Sequence, residues 1–163
     1  MPDPLARRLT LPRGYATPGG QHPLLPWSHV VDLLRREQNF WLATVRPDNR
    51  PHVTPLWGVW VNEALYFDGI PTARWGRNLA ANPECAIHLE SGERVVILEG
   101  SVEDLVTDEE TGRRIVDAWD AKYGRLHPRP ATDGILRLRP LRARAWTAFP
   151  EDVTGWEFPD PSA

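Results

Sequence analysis

The segment "TARWGRNLAANP", residues 72–83, sets Arg74, Arg77 and Asn78 at i, i+3 and i+4 of what reads as a short helix, with all three on one face. Thr72 is a natural N-cap and Ala73 then the first helical residue. Asn82-Pro83 closes the helix, because proline disfavours helical geometry in the residue before it. Both arginines thus fall where the helix dipole already carries partial positive charge and a cation is disfavoured. A bound anion reverses that sign, since a phosphate there collects free backbone N–H groups, the Thr72 hydroxyl and bidentate guanidinium bonds. The alternative is that the arginines point into solvent or pair with Glu84 or Glu90, and charge spacing alone does not choose between the two.

Other residues with chemical potential exclude more than they support. His22, His29, His52, His88 and His127 show no HxH or HxxxH spacing, which argues against a metal centre. His52 and His88 lie on strands flanking the motif, where they can border a groove, although His88 reads as an ordinary strand residue. Cys85 sits in the apolar run "CAIHL" and reads as a small packed hydrophobe; alone, it excludes an internal disulfide. No serine has a GxSxG setting. The sole lysine, Lys122, lies in the polar helix end "DAKYGR", where nothing suggests the desolvation that Schiff-base chemistry needs. No Gly-Lys-Ser/Thr exists, so a Walker P-loop is absent.

At 163 residues the chain is about one domain long, and its net charge of −3 gives no general basic field for nucleic acid or an anionic membrane. No run approaches the roughly 20 apolar residues of a membrane span, and no signal-peptide centre is present. A soluble protein of the cytoplasm is expected.

The elements that would hold the motif follow in order. Residues 1–26, rich in Pro, Gly and Arg, read as an irregular arm, and 27–163 as a single domain. "PWSHVVDLLRREQNF" is a helix capped by Ser28. "NFWLATVRPDNRPHVTPLWGVWVNEALYF" alternates and turns at Pro47-Asp48-Asn49 and again at Asn62-Glu63, giving a three-strand meander. Trp57 and Trp60 face opposite ways, one towards a groove and the other towards the core. "ECAIHLES" and "RVVILEGSVEDLV" form a hairpin that bends at Gly100. Thr107 with Glu110 opens a second long helix, with Ile115, Val116 and Trp119 inward. The loop "RLHPRPATD" then leads to a last strand pair, "GILRLRPLRARAWTAF", interrupted at Pro140. The aromatic tail, Trp146, Phe149, Trp156 and Phe158, is committed to packing or to a partner. About six hairpin-connected strands with a few short helices argue for an α+β, mainly β, antiparallel Greek-key barrel.

The ordered set "FWLATVRPDNRPHVTPLW", "TARWGRNLAANP" and "CAIHLESGERVVILEG" resembles the pyridoxamine 5'-phosphate oxidase-like FMN-binding split β-barrel family over roughly residues 28 to 158. The resemblance implies a homodimer holding a flavin in each of two interface grooves and acting as an oxidoreductase on a small molecule. It makes Thr72, Arg74, Arg77 and Asn78 phosphate or ribityl contacts, and His52, Thr54, Pro55, Leu56 and Trp57 ring-side contacts. Trp146 and Trp156 become candidates for reaching the partner subunit. Trp75 stands in the groove motif where many members carry lysine. That departure leaves an 8-hydroxy-5-deazaflavin open beside FMN, the favoured cofactor, and a flavin-binding sensor or storage module without turnover is the non-enzymatic alternative. No catalytic acid or base is assigned.

Overall fold

The computed structural model describes residues 4–12, 14–15, 22–105, 107–124 and 134–159. Its elements run β1 (Arg7–Arg8), α1 (Trp27–Arg36), β2 (Phe40–Val45), β3 (Pro51–Leu56), β4 (Val59–Val61), β5 (Ala64–Asp68), α2 (Arg74–Ala81), β6 (Glu84–Leu89), β7 (Val95–Leu105), α3 (Glu109–Tyr123), β8 (Ile135–Trp146) and β9 (Thr154–Glu157). All ladders are antiparallel, in the order β1-β9-β8-β7-β6-β2-β3, and β5 joins β4 to a second stretch of β8. The mainly β, α+β split-barrel architecture expected from the sequence is what the chain adopts. Within the arm, Arg7-Arg8 is not irregular but adds a two-residue strand to β9. The loop at 125–133, with His127, lies outside the described residues.

Two expectations fail at one glycine each. "PHVTPLWGVW" is not one strand of a meander: it breaks at Trp57-Gly58, so β3 pairs only with β2 while β4 leaves to pair with β5. Both backbone polar groups of Gly58 are bonded by the Tyr123 side chain instead of a ladder, and a Cβ there would stand 3.0 Å from the Tyr66 carbonyl. The last segment is the reverse case, one strand where a pair was expected. Pro140 is absorbed opposite Gly100 at a register shift, where a Cβ on Gly100 would fall 2.3 Å from the Arg139 carbonyl.

The turns follow their residues closely. Asn49 has φ 63°, and Asn62 and Glu63 have φ 48° and 59°, the paired positive values of a two-residue hairpin turn. Helix starts differ from expectation by a residue or two. Pro26, not Ser28, precedes α1, and Asp108, not Thr107, caps α3 by accepting the Thr111 N–H at 2.8 Å.

One large core lies between α1 and the sheet, where Trp27, Leu34, Phe40, Leu42, Trp60, Leu98 and Trp156 are buried. A smaller one joins α3 to β4 and β5 through Ile115, Trp119, Val59 and Tyr66. Each fully buried aliphatic or aromatic side chain contributes about 1.5–3 kcal/mol of transfer free energy. The opposite face of the sheet is less covered. Trp41, Ala43, Val45, Val53 and Pro55 share it by register and stay half-buried or exposed, with Val53 at 53%.

Candidate functional site

The start of α2 lacks what stabilises a helix start. Ala73, not Thr72, is its N-cap, so no side chain caps the helix and its first turn holds no acid. The first helical residue is Arg74. Arg74 and Arg77 are exposed and make no ion pair with a described residue, and in particular neither meets Glu84 or Glu90. Among the described residues the Arg77 guanidinium bonds the Thr72 carbonyl alone, at 2.9 Å, which ties the loop leading into the helix. Gly76 permits this packing, because a Cβ there would lie 2.2 Å from the Ile70 carbonyl. Partial and formal positive charge are therefore concentrated on an open helix end with no internal counter-charge among the described residues.

Asn78 departs from the expected arrangement. It is 1% exposed and points into the molecule, away from the exposed arginines, and its Nδ2 donates to the Thr44 hydroxyl at 2.9 Å. Thr44 in turn stands directly opposite His52 across the β2–β3 ladder. Both Asn78 Oδ1 and His52 Nδ1 are buried without a described partner. Such orphans are rare in native proteins and cost about 1–3 kcal/mol each. Thr44 thus links α2 to β2 through Asn78 and stands in register with His52 of β3.

His52, Thr54 and Leu56 share the inner face of β3 with this cluster and are half-buried, whereas Pro55 and Trp57 turn outward. Trp57 is 41% exposed and stacks on Tyr123, ring centroids 4.6 Å apart and planes at 8°. Trp60 is buried beside Trp27, as expected of a core residue. His88 stands on the outer face opposite Trp41, so it does not border the groove that His52 lines. Trp75 leans on Phe67, centroids 6.1 Å apart, and packs against the core. Trp156 is 1% exposed, enclosed by its own chain with Trp27, and cannot reach a partner; Trp146 remains half-buried near Phe149. Burial, then the neighbouring Glu84 charge, pushes the Cys85 thiol up to about 12, so it carries no thiolate near neutrality.

The expectation for Lys122 is overturned. Its helix end is polar in sequence but folds over the end of α1, where Nζ donates to the Leu34 carbonyl at 2.9 Å and the Gly58 carbonyl at 3.0 Å and lies 4.5 Å from the Phe40 ring centre. Burial lowers its pKa to about 7, against the opposing pull of Glu37. The desolvation that the sequence hid is therefore present, but the Leu34 and Gly58 carbonyls already claim the amine. Sequence reasoning also missed Thr44 and Tyr123. A threonine in a strand is an ordinary β residue and carries no local sign of an asparagine arriving from a helix.

Comparison with known proteins completes the site. Residues 27–147 match the sequence profile of the pyridoxamine 5'-phosphate oxidase family. The chain belongs to this family. Its relative among solved structures described as an F420 reductase is 31% identical, covering 82% of this chain and 98% of the other at a TM-score of 0.55. A heme-binding protein from Mycobacterium smegmatis is 21% identical over 79% of this chain and 56% of that one, TM-score 0.64. The heme storage protein HutZ from Vibrio cholerae is 20% identical over 69% and 88%, TM-score 0.54. The latter two share the fold alone. No curated protein matches the sequence. The fold thus carries both an F420 reductase and heme-binding proteins, so the fold by itself does not decide the function.

Proposed function

We propose that the protein is an oxidoreductase that uses a 5-deazaflavin of the F420 type, bound along β3 with its phosphate at the start of α2. The observation that carries this reading is the uncapped helix start with two exposed arginines and no counter-charge among the described residues. Arg74 and Arg77, with the first-turn N–H groups and Thr72, hold the phosphate. Asn78, through its bond to Thr44, holds the helix start against the strands, and His52 stands opposite Thr44 on the half-buried face of β3. Thr54 and Leu56 line the ring, and Pro55 and Trp57 wall the outer side of the strand. The bound cofactor supplies hydride transfer, while the chain orients it and keeps water away from the reacting carbon.

The choice of deazaflavin over FMN rests on charge and on likeness. FMN carries a phosphate monoester with nearly two charges, and a deazaflavin of this type a phosphodiester with one. Trp75 packs on Phe67 where many relatives have lysine, so the cradle offers two guanidinium groups and no third cation from that position. The F420 reductase relative points the same way. The half-exposed apolar face of Trp41, Ala43, Val45 and Val53 is read as the surface for a second copy, with Trp146 near the shared groove.

Equilibrium titration of the purified protein with each cofactor tests the reading. Binding of the deazaflavin at least about tenfold tighter than FMN, worth 1.4 kcal/mol, supports it. Tighter FMN binding returns the assignment to FMN. A bound cofactor that no electron acceptor or donor turns over leaves a binding module rather than an enzyme.

A further inference from the structure

The break in "PHVTPLWGVW" is held by one pair of neighbouring side chains. The Tyr123 hydroxyl accepts the Gly58 N–H at 2.9 Å and lies within hydrogen-bond distance of the Gly58 carbonyl, 3.0 Å, and the Gln38 carbonyl, 2.7 Å. Lys122 Nζ bonds the same Gly58 carbonyl and that of Leu34, one of the last carbonyls of α1 that no helical N–H can reach. The Tyr123 ring also carries the half-exposed Trp57 in parallel stacking. One helical turn end of α3 thus ties the end of α1, the start of β2 and the point where the edge strand leaves the sheet. β3 has a single ladder neighbour, β2, whose register ends at Phe40 opposite Leu56, so beyond Leu56 the ladder gives way to side-chain contacts of α3: the Tyr123 and Lys122 bonds to Gly58 and the Trp57 contacts with Tyr123 and Trp119.

We propose that Lys122 and Tyr123 are positioning residues for the cofactor groove: they set the Trp57 end of β3, and through it the strand wall against which the cofactor ring lies. The claim about the groove rests on the function proposed above; the claim about the strand does not. Neither side chain touches the reacting atoms. The pair acts by denying β3 its freedom, which lowers the ordering that binding would otherwise have to supply.

The tie is sensitive to charge. Glu37 at the end of α1 faces Lys122 and is itself engaged by Arg36 at 3.3 Å and Arg94 at 3.9 Å. Arg35 of α1 shares a cavity of about 260 Å³ with it, whose remaining lining, Val59, Trp60, Ala118 and Ala121, is uncharged. Phe40 and Gln38 bring no charge from β2 or the α1–β2 turn, and Tyr123 and Asp120 are the titratable neighbours on its own helix. Loss of the Lys122 proton, which burial brings to about 7, removes the cation from the Phe40 ring and weakens both carbonyl bonds.

Hydrogen exchange by mass spectrometry on the full chain, paired with cofactor titration, tests the proposal. In Tyr123→Phe, which keeps the stacked ring and loses the hydroxyl, and in Lys122→Met, exchange over residues 51–58 is expected to speed by about tenfold while β7 and β8 stay protected. Cofactor affinity falls by a similar factor, and Lys122→Arg restores both and removes the pH dependence of affinity around 7. Unchanged exchange over 51–58 in both variants overturns the tie, whether or not any flavin binds. Faster exchange with undiminished affinity overturns the positioning role and leaves a structural one. A wild type that binds no flavin sinks the cofactor reading, and the exchange data then still decide the tie.

Discussion

The two helices that precede and follow β6 and β7 in the chain, α2 and α3, are charged in opposite senses. α3 opens under Asp108, carries Glu109 and Glu110 in its first turn and Lys122 in its last, and closes on Gly124 at φ 61°. Its dipole is answered at both ends, and bonds from the Thr111 N–H and hydroxyl hold the Asp108 carboxyl below the usual carboxylate range. α2 opens under Ala73 with no acid and with Arg74 as its first residue, and has no basic residue in its last turn. Eight residues of helix with an uncapped, arginine-bearing start gain little from local energetics. The difference teaches that α2 is held by tertiary contacts, Leu79 in the core and Asn78 on Thr44, and not by its own termini; the proposed function assigns its open end to a phosphate.

Mutations can sharpen this contrast, beginning with the largest effect. Arg74→Ala with Arg77→Ala removes two charge-assisted anchors of about 1.5–3 kcal/mol each, so cofactor affinity falls at least about a hundredfold while the melting temperature holds or rises slightly. Isothermal titration and thermal melting together check it. Asn78→Ala strands the buried Thr44 hydroxyl and costs about 1–3 kcal/mol of unfolding free energy by urea titration, with a loss of affinity besides. Asp108→Ala, the mirror experiment at α3, lowers the melting temperature and leaves cofactor affinity unchanged. A further effect is one of pH. The folded chain holds the Lys122 pKa at about 7 against an ordinary 10.5, so the unfolded chain binds more protons between those values and stability rises with pH across them. Melts from pH 7 to 9 should show that slope, and Lys122→Met should flatten it.

Much of this contrast was legible in the sequence, and the reasons differ by element. The α2 arginines, the Asn82-Pro83 stop and the Asn49 and Asn62 turns are local signals, set by residues within a few positions of one another. The caps of α1 and α3 slipped because Ser28 and Thr107 are good caps in isolation, while a proline and an aspartate nearby fitted the observed backbone better. The break at Gly58 was hidden because apolar and polar residues keep alternating through it, and Lys122 and Tyr123, 64 and 65 residues later, supply the bonds that replace the ladder. Lys122 failed for the same reason. Its burial comes from the end of α1 and the Gly58 carbonyl, neither of which is near it in the chain. Helical spacing puts Asn78 on the arginine face, yet in the structure it is buried with Gly76 and Leu79 on the inward side of α2.

The most direct test of the central claim is the affinity of the F420-type deazaflavin for the wild type and for the Arg74→Ala, Arg77→Ala double variant, measured at one ionic strength with melting curves alongside. The account predicts wild-type binding that the double variant loses by at least about a hundredfold with its fold intact. Equal affinity in the two proteins would contradict it, because the open end of α2 would then not be where the anion sits.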